Sequence, residues 1–436
     1  MSMLFRIGGA LLVALIALPV GAVEIKEVTS PGGITFWMVE EPSIPIVSVE
    51  ISFDGGARLD PEGKEGLSGM TMALIEEGTG DLDAVAFANA RDDLSARFGF
   101  GAGRDGVSVS AQMLVETMEP SSELLATAIE SPAFAPQAID RVRAQILSGL
   151  AEAETSPRSI ARKDWFARAY PDHPYGRTST PESIQSLTRE DLEAAMPRLI
   201  NRANATVALV GAVNSDEAGK LVDTLFRGVP EGEKLEKPWI AMTDVPGVKV
   251  IDLDVPQSTA IFGHAGIKRS DPDFIAAFVM NYILGGGSFN SRLTDEVREK
   301  RGLAYSVYSY ISDLDESALY LGSVQTANAG MAESLELIRG EWERMATDGL
   351  SQEDLDRAKK YLTGAFPLRF DSNAKIAGYL VFIQKEGLGI DYLDKRNDLV
   401  NAVTLEEANR VAARVLKSDA LMFTVVGRPE GVQNNP

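Results

Sequence analysis

The stretch LTREDLEAAMPRLINRANATVALVG, residues 187–211, recurs 216 positions later as VTLEEANRVAARVLKSDALMFTVVG, residues 403–427. In each copy a threonine precedes an amphipathic helical pattern, and an alternating apolar run that ends in glycine follows it. Threonine is favoured before the first helical turn because its hydroxyl accepts a hydrogen bond from a free backbone N–H. Each copy therefore predicts a capped helix followed by a half-buried strand.

Other segments repeat in the same order. IDRVRAQILSGL at 139–150 parallels LDRAKKYLTGAF at 355–366, again 216 positions apart. Near the start of each half, ISFDGGARLDP at 51–61 and IFGHAGIKRSDP at 261–272 both predict a strand and a turn, followed by a helix. Several matches in one order predict two homologous units of about 210 residues each.

The predicted strands come in groups, without strict alternation with helices, which favours an α+β layered unit. We expect each unit to be an antiparallel-rich sheet packed with helices. The boundaries drawn from the sequence are 23–227 for the first unit and 245–436 for the second. Residues 228–244 are rich in proline, glycine and charge where they begin, which is typical of a linker.

Composition narrows the function classes. The 436 residues are 45% hydrophobic and 24% charged, which is globular composition for more than one domain. A net charge of -21 argues against nucleic acid as a partner, because no basic field is available to meet phosphates. The absence of cysteine excludes disulfides, thiolate metal sites and cysteine nucleophiles.

Residues 1–22 have the pattern of a secretory signal peptide. Arg6 precedes an apolar run, and small residues stand at the -3 and -1 positions of a predicted cleavage site after Ala22. The alternative is an uncleaved membrane anchor, which the short apolar run disfavours. Export and the lack of cysteine predict a periplasmic location, with no membrane association after cleavage.

The repeated halves, the helical pattern after Gly66 and the segment LGGGSFNSRLTDEVREKRGLAYSVYS at 284–309 together resemble the M16 family of zinc peptidases. This family includes pitrilysin, insulin-degrading enzyme and the mitochondrial processing peptidase. The resemblance covers essentially the whole chain after residue 22 and is most specific at 293–309. It implies the family's two-unit fold and, in catalytic members, a His-x-x-Glu-His zinc motif on one helix.

This sequence lacks the side chains of that motif. Aligned without a gap on 66–79, the family pattern places its first His at Gly69, its general base at Met72 and its second His at Ala73. The further glutamate ligand that the family carries on a later helix corresponds to Gly149. None of these side chains binds zinc or moves a proton, so we expect no metal in this chain.

The chain's other candidate ligands are better explained as structural. His173 and His264 are its two histidines, 91 residues apart, and one falls in each unit. Glu76 and Glu77 end the altered helix and are interpreted as solvated charges, not as a catalytic pair. A zinc site made only of carboxylates remains an alternative that the ion's preference for nitrogen and sulfur disfavours.

The resemblance also implies functional residues in the second unit. The family carries an Arg and a Tyr seven residues apart that bind the substrate backbone and stabilise the oxyanion, and Arg298 and Tyr305 match them. Both are hydrogen-bond donors, as an oxyanion requires. From the spacing alone, the alternative is that Arg298 forms a surface ion pair and Tyr305 fills the core.

Local patterns explain how this pair would converge. FNSRLTDEVREK, residues 289–300, predicts a helix with Phe289, Leu293 and Val297 on its apolar face, ended by Gly302. The following AYSVYSY alternates as a strand. The glycines at 285–287 are predicted to end the preceding helix and allow close packing, since no phosphate-loop pattern follows them.

These observations predict a non-catalytic subunit of a periplasmic heterodimeric zinc peptidase. Its partner would be a homologous chain that carries His-x-x-Glu-His and the zinc, and its substrates would be short or unfolded peptides. The alternative function is a pseudopeptidase that acts as a scaffold or binds peptides without hydrolysis. A zinc peptidase active on its own is disfavoured by the missing ligands.

Overall fold

The computed structural model describes residues 24–435. The predicted signal peptide lies outside the described residues. The strands are β1 (Lys26–Thr29), β2 (Thr35–Glu40), β3 (Ile46–Asp54), β4 (Gly78–Thr79), β5 (Leu82–Asp83), β6 (Arg97–Ala102), β7 (Gly106–Leu114), β8 (Ala205–Gly211), β9 (Gly247–Ile251), β10 (Gln257–Ala265), β11 (Ala304–Asp313), β12 (Ala318–Ala327) and β13 (Met422–Val426).

The α-helices are α1 (Leu67–Leu74), α2 (Ala84–Asp93), α3 (Met118–Glu130), α4 (Pro136–Ala153), α5 (Pro157–Ala169), α6 (Pro181–Gln185), α7 (Arg189–Leu199), α8 (Ser215–Phe226), α9 (Phe274–Asn281), α10 (Met331–Thr347), α11 (Gln352–Gly364), α12 (Asn373–Lys385), α13 (Tyr392–Ala402) and α14 (Leu405–Val415). Two π-helical segments follow α9, at Tyr282–Gly286 and Thr294–Glu299. Within residues 24–435, no helix is both long and apolar enough to span a bilayer.

Two sheets of the same design form the centre of the molecule. The first has the order β1-β2-β8-β3-β7-β6, and the second has the order β11-β12-β10-β13-β9. From β2 the first sheet continues as β8-β3-β7-β6, and from β9, in the reverse direction, the second continues as β13-β10-β12-β11. The strands of the two sheets therefore correspond one to one. In each sheet one pair is parallel, β2 with β8 and β9 with β13, while the ladders on β3 and β10 are otherwise antiparallel. The predicted α+β fold of two homologous units is confirmed.

The repeated stretch forms the predicted elements. The Thr188 hydroxyl accepts a hydrogen bond from the Asp191 backbone N–H at 3.2 Å, and the Asp191 carboxylate accepts one in return from the Thr188 N–H at 2.8 Å. In the second unit Thr404 accepts from the Glu407 N–H at 3.1 Å. These contacts satisfy backbone donors that a helix start leaves free, and they fix the beginnings of α7 and α14.

One face of each sheet is covered by a helix from the other unit. Helix α5 lies on β10 and β13, where Nε1 of Trp165 donates to the Met422 carbonyl at 3.0 Å. Helix α12 lies on β3 and β8, where Nε2 of Gln384 donates to the Val207 carbonyl at 3.1 Å. The bounds of α5 and α12 are 216 positions apart, so the two units exchange equivalent helices. The sequence pattern did not predict this exchange.

The segment before β11 departs from the predicted helix. Residues 288–290 form a 3-10 turn, and π-helical geometry begins at Thr294. Leu293 and Val297 are fully buried, but the Phe289 side chain is 64% exposed. The prediction that Phe289 belongs to the apolar face is therefore wrong, because the extended backbone of Ser291 separates Phe289 from the helical residues that follow it.

Candidate functional site

Helix α1 carries three of the positions at which catalytic members of the resembled family hold zinc. Its start is fixed by Asp60, whose carboxylate accepts hydrogen bonds from the Gly66 and Ser68 backbone N–H groups, both at 2.9 Å. Burial raises the pKa of Asp60, and these hydrogen bonds partly counteract that rise. Gly66 adopts φ +99°, a conformation that L side chains avoid. The frame of the helix is thus retained where its ligands are absent.

The four altered positions do not fit a zinc ion. Gly69 is exposed, and Ala73 is half-buried one turn later on the same helical face. Met72 is 1% exposed and packs into the core of the first unit. Gly149 is exposed on α4. No nitrogen, carboxylate or thiolate donor stands at any of the four, and across residues 24–435 no group of three or more His, Cys, Asp or Glu is arranged to hold a metal.

Space remains where two of these side chains were lost. A Cβ atom added to Gly69 or to Gly149 would meet no heavy atom within 4 Å. Gly69 lines a cavity of about 420 Å³ together with Arg58, Arg104 and Arg177. Asp60 and Glu65 line the same cavity, and Arg58 and Arg177 are paired with Glu316 and Glu65.

Both histidines are hydrogen-bonded, and neither is part of helix α1. Nδ1 of His173 accepts from the Tyr175 N–H at 3.2 Å, which leaves Nε2 to donate to the Glu316 carboxylate at 2.9 Å. His264 is 1% exposed in β10, and both of its ring nitrogens are hydrogen-bonded. These contacts account for each ring without a metal ion.

Glu76 and Glu77 follow α1 in a short 3-10 turn. Glu77 forms an ion pair with Arg141, and Glu76 lies 3.8 Å from Arg91. Each carboxylate thus has its own arginine, and the two face different helices, α4 and α2. This arrangement is that of charges at a helix end.

Arg298 and Tyr305 lie next to each other in the second unit. The guanidinium carbon of Arg298 is 5.1 Å from the Tyr305 ring centre and 4.7 Å from that of Phe289. Tyr305 is 83% exposed, so it does not fill the core. Its hydroxyl has no hydrogen-bond partner among residues 24–435, and Arg298 has only a 3.5 Å contact with neighbouring Glu299.

The backbone between them explains the juxtaposition. Gly302 adopts φ +62°, and its N–H donates to the Arg298 carbonyl at 2.8 Å. The Leu303 N–H donates to the Val297 carbonyl at 2.9 Å, which closes the turn. The register of β11 against β12 then shifts between Ala304 and Ser306, so Tyr305 sits in a bulge. A bulge redirects a side chain, and here it turns the phenol outward.

The triple glycine allows the preceding helix to approach β11. A Cβ atom on Gly285 would overlap the Ser309 hydroxyl and backbone nitrogen, so no larger residue fits there. The Ser309 hydroxyl donates to the Asn281 amide oxygen at 2.8 Å. Close packing thus holds β11, and with it the Tyr305 bulge, against α9.

Sequence reasoning missed two contributors to these surfaces. Phe289 was assigned to the core but provides the second aromatic ring beside Arg298. Arg104, in the turn between β6 and β7, lines both the cavity beside Gly69 and a neighbouring cavity of about 860 Å³. No local pattern marks either residue, because their roles depend on chain segments far away in sequence.

Comparison with known proteins supports the resemblance. The family model described as "Insulinase (Peptidase family M16)" matches residues 36–181, and "Peptidase M16 inactive domain" matches 186–362. A Helicobacter pylori protein named non-peptidase homolog YmxG is 25% identical over 89% of this chain and 90% of its own length. The probable mitochondrial-processing peptidase subunit beta of Arabidopsis thaliana is 24% identical over 93% of this chain and 79% of its own.

A solved structure has the same fold throughout. The crystal structure titled "peptidase M16 inactive domain" from Pseudomonas fluorescens superposes with a TM-score of 0.86 at 27% identity. The match covers 94% of this chain and 99% of that chain. The likeness therefore extends over both sheets and the exchanged helices between them.

Proposed function

Because the chain belongs to the peptidase M16 family and is of its inactive type, we propose that it is the non-catalytic subunit of a heterodimeric zinc peptidase. In this proposal a homologous partner chain carries His-x-x-Glu-His and the zinc ion. This chain supplies Arg298 and Tyr305, and the substrates are short or unfolded peptides. The similarity to a protein named as a peptidase subunit supports an assembly of two related chains.

The observation that carries the proposal is the contrast between the two candidate sites. The zinc positions carry no donor, while Tyr305 is 83% exposed and Arg298 is half-buried beside it, and among residues 24–435 neither side chain has a strong polar partner. A guanidinium and a phenol that serve only stability are normally paired or buried. An adjacent guanidinium and phenol with unpaired donors are suited to a developing negative charge on another molecule.

The chemistry divides between the chains as follows. Hydrolysis requires an activated water and donors for the oxyanion, and zinc bound to the partner would supply the activated water. Arg298 would hold the substrate carbonyl oxygen by charge, because its planar guanidinium presents N–H donors to an oxygen. Tyr305 would donate its phenol O–H to the same oxygen. The rings of Phe289 and Tyr305 limit the orientations open to the guanidinium.

We further propose that the assembly works in the periplasm. This rests on the signal-peptide pattern of residues 1–22 and on the absence of cysteine. A cell fractionation with N-terminal sequencing of the exported protein tests it. A mature chain that begins at Val23 is expected, and a chain retained in the cytoplasm would contradict the location.

A second candidate function is a pseudopeptidase that binds peptides or partners without hydrolysis. The name of the Helicobacter pylori relative, non-peptidase homolog, favours it. Under this function Arg298 and Tyr305 would tolerate substitution, because no oxyanion forms. Both functions predict that the lone chain cleaves no peptide. They differ in whether adding a zinc-bearing partner produces cleavage that depends on this chain.

Reconstitution separates the two functions. The chain is purified alone, and with a homologous His-x-x-Glu-His chain from the same genome, and each sample is assayed on a quenched fluorescent peptide. We expect no cleavage by the lone chain, no stoichiometric zinc in it, and chelator-sensitive cleavage by the mixture above the rate of the partner alone. A mixture that cleaves no faster than the partner alone would reject the subunit function.

A further inference from the structure

The cavity of about 860 Å³ next to the altered zinc helix has no role in the function proposed above. It lies between the end of α4 and the start of α5, and its apolar lining includes Leu150, Ile160 and Phe166. Its volume is in the range of clefts that enclose a small ligand. Arg104, shared with the cavity beside Gly69, reaches it from the turn between β6 and β7.

Two guanidinium groups flank one aromatic ring in this cavity. The guanidinium carbon of Arg104 lies 4.1 Å from the Phe166 ring centre, and that of Arg162 lies 5.2 Å from it. Neither side chain forms an ion pair or hydrogen bond with any residue of 24–435. Burial lowers the pKa of Arg104, repulsion from Arg162 adds to the effect, and the neighbouring Asp105 carboxylate partly offsets it. Two like charges beside one ring, neither in an ion pair, repel each other unless an anion joins them.

The nearby acids do not supply that anion. Asp105 accepts from the Tyr175 hydroxyl at 2.6 Å and from the Asp315 N–H at 3.3 Å. Asp164 is paired with Lys249 and accepts from the Thr424 hydroxyl. Glu154, exposed at the rim, is the one lining acid without a cation partner. In a chain of net charge -21, this is a local excess of positive charge.

The equivalent cavity of the second unit is smaller, and one arginine lies over its phenylalanine ring. Phe382 stands 216 positions after Phe166, and the Arg269 guanidinium lies 4.7 Å from its ring. Here Nε of Arg269 is 3.7 Å from the Glu386 carboxylate. The cavity shrinks to about 300 Å³ because larger side chains fill it, Phe366, Arg369 and Tyr379 in place of Leu150, Ala153 and Lys163. Arg269 thus has a carboxylate within 4 Å, whereas Arg104 and Arg162 have none within that distance among residues 24–435.

We propose that this cavity binds the C-terminal residue of a peptide, with Arg104 and Arg162 holding the terminal carboxylate and the apolar lining taking an apolar side chain. Guanidinium groups suit a carboxylate because their planar N–H donors match its two oxygens. The proposal rests on the proposed function only in taking peptides as the ligands of this chain. It adds that peptides are anchored by their free C-terminal end on this chain.

Calorimetric titration of the lone full chain tests the proposal without any partner. The probe is acetyl-Ala-Ala-Phe with a free carboxylate, and the reference is the same peptide as its amide. The free acid is expected to bind at least tenfold more tightly, the ratio typical of a charge-assisted hydrogen-bond pair. Equal affinity of the two peptides would overturn the proposal, whatever the outcome of the reconstitution assay.

Variants locate the preference in the cavity. Arg104→Met keeps an apolar stem on Phe166 and removes the charge, and Arg162→Met does the same at an exposed position where loss of folding is not expected. Each should reduce the acid-to-amide ratio at least fivefold. Arg269→Met, the matched control in the second unit, should leave the ratio unchanged. A ratio that survives both cavity variants, or falls only in the control, refutes the site.

A third peptide separates chain ends from acidic side chains. Acetyl-Ala-Asp-Phe amide carries its carboxylate on a side chain and has no free C-terminus. It is expected to bind as weakly as the amide reference, because its apolar and acidic groups belong to different residues. Binding as tight as that of the free acid would show that the cavity selects acidic side chains, which would overturn the C-terminal assignment.

Discussion

Nε1 of Trp342 donates a 3.0 Å hydrogen bond to Nε2 of His264, and Nδ1 of that ring lies 2.7 Å from the Ala265 carbonyl oxygen. An imidazole that accepts at one nitrogen and donates at the other is neutral. Burial lowers the pKa of His264 below its usual value. The folded protein therefore resists protonation at this position, while the unfolded chain does not.

Stability should consequently fall as the solution is acidified. Below the unfolded histidine pKa of about 6.5, the unfolded state binds a proton that the folded state does not, which costs up to ~1.4 kcal/mol per pH unit. His264→Gln should lessen this dependence, since glutamine does not titrate. Urea unfolding at pH 7.5 and 5.5 measures it in both proteins. An identical change in the two would contradict the assignment.

Glu50 should have the opposite pH dependence. This residue lies in β3, and burial raises its pKa to about 7. The unfolded carboxyl group loses its proton near pH 4.5, while the folded group keeps it to about 7. Stability from this group is therefore fully present below pH 4.5 and is lost as pH rises to 7.

Glu50→Gln should accordingly be more stable than the parent at pH 8, by about 1–2 kcal/mol after allowance for solvent screening. At pH 5 the two proteins should differ much less. Glu353→Gln, at a side chain that is 88% exposed, is the matched control and should have no effect at either pH. Urea unfolding measures all three. Equal stability of the Glu50→Gln and parent proteins at pH 8 would rule out the shifted carboxyl group.

The altered zinc positions should differ in their tolerance of substitution. Gly69→Ala and Gly149→Ala should stabilise the protein by about 0.5–1 kcal/mol each, because an added Cβ meets nothing and alanine favours a helix. Met72→Glu should cost more than about 2 kcal/mol, because its carboxylate would enter the core. Chemical denaturation measures all three. If Met72→Glu were neutral, position 72 would have to face the cavity, contrary to the structure.

Arg298 and Tyr305 should affect activity and not folding. In the reconstituted heterodimer, Arg298→Met should lower kcat about 100-fold, the scale of losing one oxyanion donor, and Tyr305→Phe about 10-fold or more. Unfolding midpoints should stay the same, because Tyr305 is exposed and Arg298 has only a weak ion pair. Tyr361→Phe, at a tyrosine that is 54% exposed, is the control with full activity. Full activity in both test variants would exclude the oxyanion role.

The sequence predicted those parts of the fold that depend on near neighbours. The threonine caps, α7, β8 and α14 follow from residues within a few positions of each other, and all were found. The altered zinc helix could also be located, because the family pattern fits residues 66–79 without a gap. Periodicity and capping chemistry are local properties, so a single chain records them.

The remaining features depend on contacts between distant segments. An apolar face on α5 predicts burial but does not identify the sheet that it covers. Phe289 fits a helical pattern, yet it lies in a 3-10 turn that the extended backbone of Ser291 separates from the following helical residues. Arg104 stands in an ordinary turn, and only the fold brings it to Phe166, 62 positions away. Such relationships require the tertiary structure.

Helices α5 and α12 each cover the sheet of the other unit, which suggests how such a molecule arose. A single half expressed alone would have one uncovered sheet face and one helix with no sheet to pack on. Pairing with an identical copy about a twofold axis would cover the sheet and bury the helix. Tandem duplication of such a gene would join the copies into one polypeptide. After such a fusion the two halves could diverge in sequence. The second half now presents Tyr305, and the first half contains the cavity lined by Arg104 and Arg162.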